Sequence, residues 1–300
     1  MHETAQLGHE LPLWSVSFFA LMLASIAILP LAAEHWWERN RHKAIVSLVL
    51  AIPVIVLFGA KGTYEPLLHE LTEYVSFIVL LGSLFVVSGG VYLGGDILAT
   101  PRNTTLFLAV GGVIANIFGT TGASVLLIRP LLRTVSERKH IMHIPIFFIF
   151  VVSNIGGCLL PIGDPPLFMG YLRGVPFFWT LRLFPGWLFT LGVLLVLFYV
   201  FDVYFYRKED RHSLERDRAS FEPIRIHGKL NIVFIVGILL CVVYLSMPWR
   251  ELAMVALSGL SLAFTAKEIH QKNEFNWAPI VEVAVLFIGI FITMVPALEI

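Results

Sequence analysis

Ser153-Asn154-Ile155-Gly156-Gly157-Cys158-Leu159-Leu160-Pro161-Ile162-Gly163-Asp164-Pro165-Pro166 lies inside a long apolar run, with Ile144–Val152 before it and Leu167–Gly170 after it. A lipid-exposed helix has no use for glycines, three prolines and an aspartate at its centre. Each backbone group opened there is costly unless it lines a cavity or is buried in protein. Discontinuous helices at membrane depth are how secondary transporters build ion and substrate sites. This stretch therefore points both to the fold and to the place where the chemistry sits.

The composition agrees with a membrane protein. Of 300 residues, 57% are hydrophobic and 14% charged, with zero net charge. A soluble domain carries about a quarter charged residues. Apolar segments fall at about 13–33, 44–60, 74–99, 104–132, 141–170, 178–205, 230–247, 252–266 and 279–298, and several reach the roughly 20 residues that cross a bilayer. No basic patch or nucleic-acid motif stands out, so nucleic acid is not an expected partner. The lipid bilayer and small ions are, with a homodimer as the assembly allowed for. The N-terminus carries Glu3 and Glu10 and no Lys or Arg. It lacks the basic leader of a secretory signal, so 13–33 reads as a retained span. Cys158 and Cys241 have no Cys or His partner at metal-ligand spacing and read as small buried residues. The ten histidines make no convincing metal pair.

The linkers sort by charge. Arg39, Arg41 and Lys43 lie in 34–43; Arg129, Arg133, Arg138 and Lys139 lie in 129–143; Arg207, Lys208, Arg211, Arg216, Arg218, Arg225 and Lys229 lie in 207–229. The 60–73 linker instead holds Glu65, Glu70 and Glu73 beside Lys61. The positive-inside rule puts the three basic linkers in the cytoplasm and the N-terminus outside, in the inner membrane of a cell. Both ends of 104–132 must then lie inside. That segment is predicted to be a re-entrant hairpin, with arms of about 12–14 residues, too short to span. Its tip is Asn116-Ile117-Phe118-Gly119-Thr120-Thr121-Gly122-Ala123-Ser124. The expected organisation is a first repeat over 1–206 (three spans, hairpin 104–132, broken helix 141–170, span 178–205), a cytoplasmic linker over 207–229, and the start of a second repeat over 230–300. The chain stops at Pro296–Ile300 directly after an apolar run, which reads as an interrupted sequence.

Candidate site residues follow from the break. Asp164 before Pro165 suits a helix N-cap, but an ionisable group at mid-membrane is a functional candidate by default. The first half-helix ends at Ser153 and Asn154 with carbonyls lacking internal partners. Ser153, Asn154 and Asp164 offer hard oxygens that suit Na⁺. Gly157 and Gly163 let nearby carbonyls turn toward a common point. Asn116, Thr120, Thr121 and Ser124 at the hairpin tip are the other candidates, since a turn at membrane depth must be hydrated or coordinated. Asp96 reads as an interfacial cap, Asp202 is expected to reach the inner surface, and Glu282 is expected to be interfacial.

Ser153-Asn154-Ile155-Gly156-Gly157 followed by Ile162-Gly163-Asp164-Pro165-Pro166, with a hairpin ahead of them, resembles the ion-transporter superfamily. That group includes NhaD-type sodium/proton antiporters, arsenite pumps, citrate–metal carriers and sodium-coupled dicarboxylate carriers, and the likeness runs to NhaD-like and citrate-transporter branches. The resemblance implies an all-α polytopic transporter of the inverted-repeat type, each repeat with a re-entrant hairpin and a broken helix. It places Asn116, Thr120 and Thr121 on the first hairpin tip, and Ser153, Asn154, Gly157 and Asp164 on the first broken helix. The second hairpin and second broken helix would follow residue 300. Dicarboxylate carriers commonly have threonine or serine where Asp164 stands, and the antiporter and arsenite groups have asparagine where Leu167 follows the prolines.

The leading expectation is a secondary transporter, not an enzyme, that exchanges Na⁺ for H⁺. Asp164 would hold one ion or the other, and Na⁺ and H⁺ would couple without any further cofactor. The alternative is cation-coupled transport of citrate or another di- or tricarboxylate. That reading needs cationic or hydroxyl-rich anchors for the carboxylates, and the mid-membrane segments show no convincing Lys or Arg. An intramembrane aspartyl protease would need a second deep aspartate and a Gly-x-Gly-Asp setting, whereas Pro161-Ile162-Gly163-Asp164 lacks the first glycine. A passive channel or structural membrane protein is the remaining class.

Overall fold

The computed structural model describes residues 11–210 and 223–300. Glu3, Glu10, Arg211, Arg216 and Arg218, used above to orient the chain, lie outside the described residues. The elements, in chain order, begin with α1 (Ser17–Ala32), α2 (Asn40–Ala60), α3 (Glu65–Gly89) and the short strand β1 (Tyr92–Gly94). The paired helices α4 (Pro101–Phe118) and α5 (Thr120–Thr134) follow. Next come α6 (His143–Phe148), α7 (Pro165–Leu172), α8 (Phe184–Tyr206) and strand β2 (Arg225–His227). Helices α9 (Leu230–Tyr244), α10 (Trp249–Phe264), α11 (Lys267–Lys272) and α12 (Ala278–Glu299) complete the series. Among the described residues, six helical stretches are long and apolar enough to cross a membrane. The protein is an all-α polytopic membrane protein.

The chain divides into two compact units. The first comprises Met1–Ile78 and Asn276–Ile300. In it α2 and α12 run parallel: Lys43 Nζ meets Glu282 Oε1 at 2.6 Å, and Ser47 Oγ donates to the Val285 carbonyl at 2.9 Å. Gly289 is required here, because a Cβ on it would lie 2.8 Å from Ser47 Cβ. Tyr74 OH donates to the Ala284 carbonyl at 2.9 Å, and Phe77 stacks on Phe287 with ring centroids 4.7 Å apart. Lys43 is therefore buried inside the helix pair rather than lying in an open linker, and its partner Glu282 neutralises it.

The second unit is Val79–Phe275. Its centre is a helical hairpin. Thr100 caps α4, its Oγ1 accepting from the Asn103 amide at 3.4 Å, and Pro101 opens the helix. Asp96 lies in the irregular segment before it and is not the cap. Gly119, at φ 72° and ψ 153°, reverses the chain, a conformation natural only to glycine. A Cβ on Gly111 would sit 3.1 Å from Leu127 Cδ1, so positions equally far from Gly119 face each other and the arms fold back. The arms are 18 and 15 residues, longer than the expected 12–14, because the polar flanks Pro101–Thr105 and Arg129–Thr134 are helical too. Fold-back, not arm length, is what brings both ends to one face.

Three further boundaries differ from expectation. The acidic 60–73 linker is largely the first turns of α3, with Glu70 and Glu73 buried. Helix α3 ends at Gly89, ten residues before the expected 99, and β1 pairs antiparallel with β2 through Leu93 and Ile226. Asn231 and Asn273 donate to the carbonyls of Gly90 and Gly89, each at 2.8 Å, which satisfies the end of α3. At 15 and 16 residues, α9 and α10 are short of the roughly 20 that cross a bilayer.

Candidate functional site

The helix that begins at α6 loosens before it breaks. From Ile149 to Asn154 it widens to a π-turn, Ile155–Gly157 tightens to a 3₁₀ turn, and regular structure resumes only at Pro165. Asn154, at φ −123° and ψ −82°, closes the π-turn, and its Nδ2 donates to the Ile149 carbonyl at 2.9 Å. Such bulges cluster at functional sites because they release backbone carbonyls from the helix.

The hairpin tip docks into this break. The Thr120 amide donates to the Gly163 carbonyl at 2.8 Å, and Asn116 Oδ1 accepts from the Leu159 amide at 2.8 Å. Ser124 Oγ donates to the Thr120 carbonyl at 2.6 Å and lies 2.8 Å from Ser153 Oγ, which therefore donates to it. Gly157 and Gly163 are needed for contact: a Cβ on Gly163 would fall 2.1 Å from the Gly157 carbonyl oxygen, and one on Gly157 2.5 Å from that of Gly163. Buried Thr180, which the sequence reading missed, donates to the Leu159 carbonyl at 2.8 Å and fixes the far side of the break.

Asn116, Thr120, Ser124, Ser153, Gly157 and Gly163 are thus in one connected cluster, with Asp164 next in the chain. Thr121 is half-buried and Asn154 exposed, and neither side chain joins the cluster by a hydrogen bond. The Asn116 oxygen and one lone pair of the Gly163 carbonyl are already used, so these two groups strap the hairpin to the break. Asp164 stands at the N-cap of α7 in extended conformation, but its carboxylate makes no capping bond. Its backbone carbonyl accepts from Leu167 and Phe168 instead, at 3.1 and 3.3 Å. The half-buried carboxylate has no hydrogen-bond or ionic partner among the described residues. No set of three or more His, Cys, Asp or Glu side chains that could hold a metal occurs among them either. A cation here would be held by one carboxylate with hydroxyl, carboxamide and carbonyl oxygens, a set that fits a hard monovalent ion better than zinc or iron.

A second buried aspartate sits elsewhere in the unit. Asp202 is fully buried rather than at the inner surface. It holds Arg138 Nη2 at 2.5 Å, His143 Nε2 at 2.8 Å and Thr104 Oγ1 at 2.6 Å. This cluster joins the start of the hairpin, the linker after it, the start of the broken helix and α8. Asp202 was visible as an acid in an apolar span. Arg138 and His143 carry no local signal, because their partner is 64 and 59 residues away. With its carboxylate taken by three donors, Asp202 is no free second acid for a protease.

The comparisons with known proteins agree with this architecture. No curated protein and no solved structure matches the chain. A protein-family model described as "Putative citrate transport" matches residues 8–300. With that match covering nearly every residue, the broken helix and the hairpin included, the chain belongs to the citrate-transport family that the description names.

Proposed function

We propose that the protein is a secondary active transporter that moves citrate or a related di- or tricarboxylate together with a coupling cation, Na⁺ or H⁺. The observation that carries this reading is the Asp164 carboxylate, half-buried, without a hydrogen-bond or ionic partner among the described residues, at the restart of a broken helix against which a hairpin tip is docked. An anionic substrate cannot approach a fixed carboxylate in a low-dielectric site unless a cation comes first. The cation therefore binds Asp164 with oxygens freed by the break, the Ser153 hydroxyl among them, and the substrate follows. The family match supports the substrate class.

Na⁺/H⁺ antiport is the second reading. It is favoured by the lack of any Lys or Arg in the 153–166 break and the 116–124 hairpin tip. On that reading Asp164 alternates between a proton and Na⁺. In either case 1–206 forms a first repeat and 230–300 opens a second, with a hairpin and broken helix that move against a scaffold. The three basic linkers support an N-terminus on the outer side of the inner membrane, and the parallel course of α2 and α12 supports starting both from the cytoplasmic face.

The deciding experiment is uptake of labelled citrate by proteoliposomes of the full-length protein, under a Na⁺ gradient, a pH gradient or neither. Citrate accumulation that needs one of the gradients is expected. Sodium-driven proton movement without citrate dependence would select the antiport reading. Citrate equilibration with no gradient dependence would overturn both.

A further inference from the structure

Helix α7 cannot hold a carboxylate with its own backbone. Half-helix N-termini bind anions through free N–H groups, but α7 opens with Pro165 and Pro166, which have none. The next two amides, Leu167 and Phe168, already donate to the Asp164 carbonyl. A carboxylate held beside α7 therefore has to be met by a side chain, and a cationic one is packed against this helix. Arg250, at the start of α10 and 7% exposed, lies with its Cζ 5.8 Å from the centroid of the Phe168 ring and 6.0 Å from that of Tyr171. Those rings are one and two turns along α7 from Asp164, about 6 and about 10 Å of helix rise. Tyr171 OH donates to the Val242 carbonyl of α9 at 2.7 Å, which holds the ring that faces Arg250.

The guanidinium is only half used. Nε and Nη2 both donate to Glu251 Oε1, at 2.9 and 2.6 Å. Nη1 has no hydrogen-bond partner among the described residues, and it is not among the atoms sealed from the surface. Neighbours in sequence on a helix do not normally face each other, so this pair is a local neutralisation of a buried cation. An aromatic-backed guanidinium with an open Nη1–Nη2 edge matches the two oxygens of a carboxylate.

We propose that Arg250 binds one carboxylate group of the substrate through Nη1 and Nη2, with Glu251 as the counter-ion that holds the guanidinium while substrate is absent. This assignment rests on the reading of the protein as a carboxylate carrier. The substrate adds negative charge beside Glu251 and Asp164, which is why a cation must be bound at Asp164 at the same time. Arg250 then selects for substrates with a carboxylate to spare, and the protein discriminates citrate from uncharged analogues at this point.

The test is the concentration dependence of citrate uptake in proteoliposomes of the full-length protein, for wild type, Arg250→Lys, Arg250→Gln and Glu251→Gln. Lysine keeps the charge and loses the fork, so KM should rise roughly tenfold with Vmax nearly unchanged, and more for glutamine. Glu251→Gln frees the guanidinium and should lower KM. A purely structural Arg250 would instead lower the amount of inserted protein and Vmax and leave KM alone. Wild-type citrate uptake with KM unchanged in Arg250→Lys and Glu251→Gln overturns the assignment and leaves the carrier reading standing. Wild-type protein that moves no di- or tricarboxylate overturns both.

Discussion

The Thr120 amide donates to the Gly163 carbonyl at 2.8 Å, so the hairpin tip and the broken helix meet backbone to backbone one residue before Asp164. No side chain lies between them at that point. The position of Asp164 is therefore set by main-chain geometry that any Cβ would disturb.

Gly163→Ala tests that contact directly. Its Cβ would sit 2.1 Å from the Gly157 carbonyl oxygen, and the Gly163 backbone, whose carbonyl accepts from Thr120, cannot retreat without straining that bond. Overpacking of this kind costs about 1–3 kcal/mol or more. Gly170→Ala, on the same half-helix, meets nothing nearer than Val175 Cγ2 at 3.8 Å, and should gain up to about 1 kcal/mol of helix propensity. Thermal unfolding in detergent should move in opposite directions for the two variants. Equal effects would show that the close approach is not what constrains Gly163.

Asn116→Leu removes the acceptor of the Leu159 amide without removing bulk. A buried N–H left without a partner costs about 1–3 kcal/mol. The hairpin should loosen against the break, and hydrogen exchange at Leu159 should rise while that of α8 stays as it was. Unchanged protection at Leu159 would count against the strap.

Asp164→Asn keeps size and polarity and removes the charge. Coupled uptake should fall to the level of protein-free vesicles, with membrane insertion and melting temperature preserved, since the carboxylate makes no capping bond and has no hydrogen-bond partner among the described residues. Retained gradient-driven uptake would reduce Asp164 to a cap by position alone.

The interruption of the helix was legible because Gly156, Gly157, Pro161, Gly163, Pro165 and Pro166 have no other use in an apolar run. The hairpin was legible from charge, since the basic 129–143 linker and the basic 207–229 linker fit one face only if the chain turns back between them. What the sequence could not show are the long-range partners. Lys43 reads as one more linker cation until Glu282, 239 residues on, buries it. Arg138 likewise reads as a cytoplasmic charge until Asp202 claims it. Arg250 sits outside every motif, and only its packing on Phe168 and Tyr171 brings it beside the half-helix that Asp164 begins. Helix ends were misplaced where polar residues, as in Glu65–Glu73, lie on a helix rather than in a loop.

Breaking the Asp202 cluster should be costly. Arg138→Gln leaves a carboxylate buried with only His143 and Thr104. Removing one partner of a buried ion pair destabilises by about 3–5 kcal/mol. Arg138→Gln combined with Asp202→Asn removes both charges and should recover a good part of that loss. A double variant as unstable as the sum of the singles would mean that the two charges do not act as a pair.

His270 predicts the response to acid. Its ring packs on Phe275 with centroids 5.1 Å apart, and both ring nitrogens are buried without a hydrogen-bond partner among the described residues. It lies on α11, outside the spanning helices, and burial pushes its pKa below the ordinary histidine value. The unfolded chain binds the proton more readily than the folded one. The stability that His270 permits is therefore fully present above its unfolded pKa of about 6.5 and is lost as pH falls toward the depressed folded value. Melting temperature should drop as pH falls below about 6.5. His270→Leu fills the same space with no polar atoms to leave unpaired. That variant should melt no lower than wild type at neutral pH and should lose part of the acid-dependent drop. A drop of unchanged size in His270→Leu would assign the acid response to other groups.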